Sequence, residues 1–309
     1  MTTPDRPAPP APTAAPDSKP MVAAAWMMGA VASFTSMAVA GRTVSIELDS
    51  FEILAWRSLF GIAIIAAIAS LRGRWAGMAM RHPGLHLGRN IVHFAAQNLW
   101  FFAIVTVPLA QVFALEFTAP LWALLLSPLF LGERLTRARV LSAAIGFVGI
   151  LLVARPGAAP ITPGLVAAAG AALGFAATYI FTKRMTAVTS ILAILWWMTV
   201  LQTIFGFACA GLDGRIAWPS AATLPWVLLI GATGLTAHFC IGKALEVAPA
   251  TVVMPFDFLR LPAAALIGLL LYGEEIGALV IAGAALILCG NYLNLRAEAR
   301  ARRSRAAAA

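Results

Sequence analysis

The sequence carries little charge for its length of 309 residues. Charged side chains make up 11% of it and hydrophobic side chains 61%. A water-soluble domain has about a quarter of charged residues, so this composition excludes a soluble globular protein. The sequence also lacks an extended alternation of apolar and polar residues. Helices are therefore left as the way to satisfy backbone hydrogen bonds within lipid.

Cysteine is scarce too, and the three thiols, Cys209, Cys240 and Cys289, lack the CxxC spacing of metal or redox sites. All three fall inside predicted helices, where we expect them to pack as small apolar groups. His82 and His86 are four residues apart, but the Pro-Gly pair between them predicts a loop and no helical metal-binding face. Walker, Rossmann and nucleophile-elbow motifs are absent, which excludes ATP-driven transport by this chain alone. We expect no metal, no cofactor and no enzymatic activity.

Long apolar runs take the place of charge. Ten runs of about 20 residues can be drawn, each long enough to cross a hydrocarbon core of about 30 Å. They lie near residues 21–41, 51–71, 89–106, 108–131, 137–155, 163–182, 190–210, 222–243, 247–272 and 276–295. Residues 1–20 are rich in Pro and Ala and have no apolar core, so they predict a disordered tail and not a cleaved signal.

The two halves of the sequence repeat one another at a shift of 141 residues, from Glu133 to Glu274. Each of these glutamates follows a glycine at the end of an apolar run. The other matched pairs include Glu116 with Asp257, Pro108 with Pro249, Phe117 with Phe258, and Gly149 with Gly290. Internal symmetry of this kind is typical of duplicated transporter halves. It predicts a first repeat at residues 21–155, a second at 163–296 and a basic tail at 297–309.

The formal net charge of +9 comes mostly from Lys and Arg in alternate connecting segments and in the two tails. The opposite loops hold only Arg42, Arg155 and Arg215. Such a bias marks the cytoplasmic side of a membrane, so both termini are predicted to be cytoplasmic. The placement beside helix ends argues against a nucleic-acid partner. The basic C-terminal tail is interpreted either as a contact with anionic lipid headgroups or as a topology anchor.

Each repeat holds five helices, and because five is odd the second copy enters the membrane inverted. The predicted fold is an all-α integral membrane protein of ten transmembrane helices in two inverted five-helix repeats around a central cavity. Small residues in helices 5 and 10, including Gly146, Gly149 and Gly290, predict tight packing. That packing is either internal or between the protomers of a homodimer.

These features resemble the EamA-type family of the drug/metabolite transporter superfamily, whose members are ten-helix bacterial carriers. The resemblance rests on the paired repeats, on Pro108 and Pro249 at the turns into helices 4 and 9, on the Gly-Glu endings, and on Arg57 early in helix 2. It covers about residues 21–296. It implies a multi-pass protein of the bacterial cytoplasmic (inner) membrane that moves amino acids and related metabolites, drugs, riboflavin or S-adenosylmethionine, in either direction.

The sequence departs from two-fold symmetry at two charged positions. Arg57 has no basic counterpart in helix 7, where Trp196 and Trp197 stand, and Arg260 corresponds to Ala119 in the first repeat. The tryptophans are interpreted as packing or interfacial anchors in preference to groups that stack on a solute.

Ionisable side chains inside the predicted helices are candidates for the solute or ion pathway, because each costs about 2.5–3.5 kcal/mol without a partner or a wet cavity. Arg57 and Glu116 have similar predicted depths, which permits a pair that acts either as a static clamp or as part of a substrate-cation or proton site. Asp257 and Arg260 are three residues apart and share a helix face, which permits a second pair. We expect Glu116 and Asp257 to couple transport to protons, and Arg57 or Arg260 to hold a substrate carboxylate or phosphate.

Prolines lie beside these charges. Pro120, Pro255 and Pro262 each remove a helix hydrogen bond and free a carbonyl near Glu116 or Asp257. Interrupted helices at matched places in two repeats point to a transport site.

Other polar candidates lie on helices 3 and 8. His93 and Gln97 share a face of helix 3, with Asn98 beside them, and these side chains either grip a polar solute or bond to neighbouring helices. His238 is interpreted as a proton relay or a structural hydrogen-bonding group.

The leading prediction is a secondary transporter that exports a small polar organic metabolite by alternating access, coupled to protons. An uptake carrier of the riboflavin or S-adenosylmethionine type, a membrane-embedded lipid-modifying enzyme and a lipid flippase are the alternatives. The expected partners are a small-molecule solute, protons and the lipid bilayer, and a homodimer is left open.

Overall fold

The computed structural model describes residues 20–131, 137–154, 160–185, 188–247 and 256–307. Within these ranges the regular structure is helical and no strand is present. The α-helices are α1 (Pro20–Val44), α2 (Ser50–Arg72), α3 (Pro83–Thr106), α4 (Leu109–Glu116), α5 (Ala119–Leu131), α6 (Arg137–Ala154), α7 (Pro163–Met185), α8 (Ile191–Ala210), α9 (Leu224–Val247), α10 (Arg260–Tyr272) and α11 (Ala278–Ala307). Glu133, Pro249, Pro255 and the N-terminal tail lie outside the described residues.

Six stretches in the described residues are long and apolar enough to cross a membrane. They are Met21–Val44, Ser50–Arg72, Leu109–Leu126, Pro163–Thr182, Ile191–Ala210 and Leu224–Ala244. Shorter apolar helices lie at Val140–Val153, Arg260–Tyr272 and Ala278–Leu293. The all-helical, multi-pass membrane architecture predicted from composition is confirmed.

Short polar residues set where the helices begin and end. The Asp49 carboxylate accepts a hydrogen bond from the Glu52 amide at 2.8 Å, and the Glu52 carboxylate accepts one from the Asp49 amide at 3.0 Å, which fixes the start of α2. Gly73 ends α2 with a φ of 60°, a left-handed conformation that glycine adopts without strain. Helix α3 begins at Pro83, six residues before its predicted start at residue 89. Arg89, counted from the sequence with the basic residues of the cytoplasmic segments, lies inside α3, because Pro83 fits the first turn of a helix and extends α3 through the polar stretch.

Helices are interrupted beside both charged stretches. Helix α4 ends at Glu116 and α5 begins at Ala119, so Pro120 lies in the first turn of α5. Helix α10 begins at Arg260, and Pro262 lies in its first turn. Pro120 and Pro262 thus each lie in the first turn after an interruption, where a helix tolerates proline. At the first break the Asn291 amide donates a hydrogen bond of 2.7 Å to the Phe117 carbonyl, which satisfies a group that the break leaves without a helical partner.

Four helix pairs make the most extensive contacts: α1 with α9, α3 with α7, α2 with α8, and α6 with α11. Small residues permit the closest approach, since a side chain at Gly149 would collide with the carbonyl of Gly283, and one at Gly290 with that of Ser142. The tight packing predicted at Gly149 and Gly290 is thus within the chain, between α6 and α11.

Candidate functional site: a polar cavity and a closed charged cluster

A cavity of about 530 Å³ lies among the helices, within the usual range of roughly 300–1,000 Å³ for small-molecule sites. Its lining residues come from α1–α5 and α7–α11 and from the turn before α10. Aromatic side chains form much of its wall, including Phe34, Trp100, Phe101 and Phe117. Charged and amide side chains are set into this wall at two places.

The first place is a cluster around Arg260, which is 5% exposed. Its guanidinium donates to Glu116 Oε1 at 2.9 Å and to Asp257 Oδ2 at 2.7 Å. The other oxygen of Glu116 accepts a 2.8 Å hydrogen bond from the Trp100 indole. Arg260 also lies over the ring of Phe34 at 4.6 Å. The predicted Asp257–Arg260 pair is confirmed, and Arg260 is held by two carboxylates and aromatic faces.

The second place is centred on Arg57, which is 8% exposed. Its Nη2 donates to Gln97 Oε1 at 2.7 Å and to Gln202 Oε1 at 3.0 Å. The expectation that Arg57 could pair with Glu116 is wrong, because packing brings α10 to Glu116 and α8 to Arg57. Arg57 therefore has neutral amides as partners where a carboxylate was expected.

Arg89 joins the cavity and was missed as a site residue by the sequence. It is 5% exposed and donates to the Thr182 hydroxyl at 3.0 Å and to Asn90 Oδ1 at 3.2 Å, both neutral acceptors. Among the described lining residues there are now three arginines and two carboxylates. With its histidines neutral, this lining has a formal charge of +1. The two arginines and two acids predicted from the sequence would have had a formal charge of zero.

The remaining predicted polar residues separate into two groups. His93, Gln97 and His238 line the cavity, and the His238 ring packs edge-on against Phe34 with centroids 5.9 Å apart. Asn98 does not line it, and its amide donates to the Phe94 carbonyl of the same helix at 2.8 Å. The expectation that Asn98 contributes to the site is therefore not supported by its position.

The tryptophans of α8 serve as anchors. The Trp197 indole donates to the Met78 carbonyl at 2.9 Å, and the Trp196 ring meets Trp75 edge-on with centroids 5.5 Å apart. Both contacts are with the segment after α2. The interpretation as packing anchors is confirmed by these contacts.

Several buried polar atoms of the cavity have no hydrogen-bond partner among the described residues. Such atoms cost free energy unless a solute or water pairs with them, so they mark where a solute would bond. They are Arg57 Nε, Gln202 Nε2, both ring nitrogens of His93, Asp257 Oδ1, Arg260 Nε and Asn291 Oδ1.

A second charged cluster, the Arg42–Glu274 cluster, lies away from the cavity. Arg42 donates to Glu274, to the Ile104 carbonyl and, at 2.8 Å, to the Val107 carbonyl. The other oxygen of Glu274 accepts the backbone amide of Leu109 at 2.8 Å, at the N-terminus of α4. The cluster therefore ties α1, the end of α3, the start of α4 and the end of α10 together. From the sequence, Glu274 was predicted to end a repeat and Arg42 to be a loop charge.

Comparison with known proteins finds relatives that are named as transporters. A riboflavin transporter from Rhizobium johnstonii (strain DSM 114642 / LMG 32736 / 3841) is 31% identical over 93% of this chain and 95% of its own length. A riboflavin transporter from Vibrio cholerae serotype O1 is 30% identical over 87% and 91%. An S-adenosylmethionine uptake transporter from Rickettsia bellii is 22% identical over 89% and 94%.

A solved crystal structure shares the fold, with a TM-score of 0.61 and 20% identity, and the match covers 91% of this chain and 98% of that one. The model of the EamA-like transporter family matches the chain twice, at residues 21–155 and 162–296. The resemblance inferred from the repeats and the Gly-Glu endings is thereby confirmed. The chain belongs to the EamA-like transporter family.

Proposed function

We propose that this transporter carries riboflavin, or a flavin of the same charge, across the bacterial cytoplasmic membrane by alternating access. The observation that carries the proposal is the composition of the cavity wall. Aromatic faces suit a flat ring system, and the amides and arginines around Arg57 suit its polar edge. Two relatives with 30% identity or more are named riboflavin transporters, which supports the same solute.

Charge separates riboflavin from S-adenosylmethionine. The described lining carries three arginines and two carboxylates, and both carboxylates are bound to Arg260. A positive lining in a low-dielectric cavity disfavours a cation. S-adenosylmethionine has a sulfonium charge, whereas riboflavin is neutral. The cavity therefore favours the neutral flavin over S-adenosylmethionine.

A ten-helix arrangement in two inverted repeats is the architecture we propose for the alternation. At the shift of 141 residues, the bounds of α3 become those of α9, and the bounds of α5 become those of α10. The contact of α1 with α9 then corresponds to that of α7 with α3. Contacts that map onto one another in this way support a pseudo-two-fold axis between the halves.

The Arg42–Glu274 cluster is proposed to close the cavity on the outer side. It joins the C-terminal end of α1 to the N-terminal end of α4, which the distribution of basic residues predicts to be outside. Cavity-lining residues extend the other way, to Arg89 near the start of α3 and Thr182 near the end of α7. This supports an inward-open state in which the outer side is shut.

Proton coupling, cytoplasmic termini and a homodimer remain predictions. Both carboxylates expected to carry protons, Glu116 and Asp257, are bound to Arg260. Protonating either one would leave Arg260 short of negative charge in a buried position, so coupling would require this cluster to rearrange. The transporter family favours a carrier over the lipid-modifying enzyme and over the flippase.

Counterflow in proteoliposomes tests the solute without assuming a direction. Liposomes containing the purified protein are loaded with unlabelled riboflavin, and labelled riboflavin is added outside. We expect saturable accumulation that excess external riboflavin abolishes and excess S-adenosylmethionine does not. Protein-free liposomes give the background. Accumulation of labelled S-adenosylmethionine in matched vesicles, with none of riboflavin, would reverse the assignment.

A further inference from the structure

The side chains around Arg57 present mainly hydrogen-bond donors to the cavity, on a surface called here the donor face (Arg57, Gln97 and Gln202). A guanidinium has N–H donors and no acceptor, so an amide that faces it must present its oxygen. Both glutamine oxygens do so, at 2.7 Å for Gln97 and 3.0 Å for Gln202. Each amide NH2 group is therefore turned away from Arg57.

Donors remain on this face once the internal bonds are made. Arg57 Nε and Gln202 Nε2 are buried and have no partner among the described residues, and both residues line the cavity. A buried donor without an acceptor is costly, and a buried guanidinium among neutral amides more so. The chemical group that relieves this cost is one with acceptor oxygens and no hydrogen to donate, such as adjacent carbonyl groups.

The opposite polarity occurs near the helix breaks, on a surface called here the acceptor face (Asp257 and Asn291). Asp257 Oδ2 already accepts a hydrogen bond from Arg260, and the Asn291 amide already donates one to the Phe117 carbonyl. Asp257 Oδ1 and Asn291 Oδ1 are left buried and without a partner among the described residues. Two acceptor oxygens of this kind suit hydroxyl groups.

Resting on the proposed function, we infer that the cavity holds its solute in one orientation. The donor face binds the carbonyl edge of a planar ring, and the acceptor face binds the hydroxyl groups of the attached chain. Riboflavin carries both parts, a dione at one edge of its three-ring system and a ribityl chain. Gln202 and Asn291 are then residues that determine specificity for the two ends.

Two ligands and two variants separate the two faces. Lumiflavin has the same ring and dione as riboflavin but a methyl group in place of the ribityl chain. Gln202→Glu keeps the oxygen that accepts from Arg57 and removes the NH2 donor, and Gln202→Leu removes both as a second variant. Asn291→Leu removes the acceptor oxygen. The matched control is Thr203→Val, next to Gln202 on α8, whose hydroxyl bonds to the Thr199 carbonyl and which does not line the cavity.

Dissociation constants of the purified full-length variants are measured by quenching of flavin fluorescence. Either substitution of Gln202 is expected to weaken riboflavin and lumiflavin by the same factor, roughly tenfold for one lost bond that leaves a partner unpaired. Asn291→Leu is expected to weaken riboflavin by roughly tenfold and lumiflavin by less than about twofold. Thr203→Val is expected to bind both as the wild type does.

The ratio of the two constants distinguishes orientation from general damage, because a loosened cavity weakens both ligands alike. An Asn291→Leu protein that binds riboflavin as tightly as the wild type would overturn the assignment of the acceptor face. Retention of both ligands by both Gln202 variants would overturn the donor face while leaving riboflavin transport intact. A wild-type protein that binds neither flavin would reject the proposed function and, with it, this orientation.

Discussion

The Arg42–Glu274 cluster and the Arg260 cluster each join an arginine to a glutamate from the other half of the chain, yet their bonding differs. At the first, all three nitrogens of the Arg42 guanidinium donate and both oxygens of Glu274 accept. At the second, Arg260 Nε and Asp257 Oδ1 stay without partners among the described residues. We therefore propose that the fully bonded cluster closes the cavity and that the incompletely bonded one meets the solute.

The partners differ as well. Arg42, near the end of α1, bonds to backbone carbonyls at the end of α3, so this contact depends on the relative position of these two helix ends. Arg260 bonds to side chains beside two helix breaks and to aromatic rings that line the cavity. Both contacts are largely buried, with the side chains of Arg42 and Glu274 12% and 13% exposed. We expect the Arg42–Glu274 contact to break when the halves move, because it joins helix ends, and the Arg260 cluster to stay bonded unless proton coupling rearranges it.

Removal of the Arg260 charge is expected to have the largest effect. Arg260→Leu leaves Glu116 and Asp257 buried without a counter-charge, which costs about 3–5 kcal/mol in a buried cluster. We expect a large fall in thermal midpoint and in the monodisperse fraction on size-exclusion chromatography. The matched control, Glu116→Gln with Asp257→Asn and Arg260→Leu, removes all three charges and should recover most of the midpoint. A single Arg260→Leu variant as stable as the wild type would show that the cluster is not structural.

Breaking the Arg42–Glu274 pair is expected to alter access and leave stability largely intact. Glu274→Gln weakens a bond to a charged group worth about 1.5–3 kcal/mol, enough to shift an open–closed equilibrium about tenfold or more. Ser58 lines the cavity and is small, so Ser58→Cys in a background without the native cysteines reports access. We expect a membrane-impermeant maleimide added outside intact cells to label it faster in the Glu274→Gln variant.

The control for this prediction is Ser58→Cys with Glu275→Gln, which neutralises the adjacent glutamate. Equal labelling rates in the Glu274→Gln and Glu275→Gln proteins would argue against the cluster as the outer closure. If the Glu274→Gln protein is labelled faster only in inverted vesicles, where the added maleimide reaches the cytoplasmic face, the predicted topology is reversed.

The sequence predicted features that depend on residues close together in the chain. The Asp257–Arg260 pair joins residues three apart, although Asp257 lies before the turn that precedes α10, and Pro120 and Pro262 each lie beside a helix interruption. Such features are local, so a few neighbouring residues determine them. Partners on different helices could not be predicted from the sequence, because only helix packing brings Gln202 to Arg57 and Arg260 to Glu116.

Two further residues show where a signal was present. At the shift of 141 residues Arg42 corresponds to Lys183, just as Glu274 corresponds to Glu133. A basic residue that is repeated together with an acidic one points to an ion pair, although Arg42 was counted only as a loop charge. Arg89 was missed as a lining residue for a different reason, since hydropathy starts α3 at residue 89 while the proline at its true N-terminus lies earlier.

The smallest expected effect on stability comes from Glu47, an exposed residue in the turn after α1. The Glu47 carboxylate accepts hydrogen bonds from the Thr223 hydroxyl and, at 2.6 Å, from the Ser220 amide. These bonds, that of Thr223 first, lower the pKa of Glu47 below its usual value. A carboxylate with a lowered pKa in the folded state stabilises that state above its unfolded pKa of about 4.3, and the contribution disappears as pH falls through the folded pKa.

Glu47→Gln should therefore have a slightly lower thermal midpoint than the wild type at pH 7, and the two midpoints should converge as pH falls below about 4. The effect is small because Glu47 is exposed and its charge is screened by solvent. Differential scanning fluorimetry of the two detergent-purified proteins across this pH range measures it. A midpoint difference that stays constant with pH would mean that the amide oxygen replaces the carboxylate fully, or that the Glu47–Thr223 contact does not form.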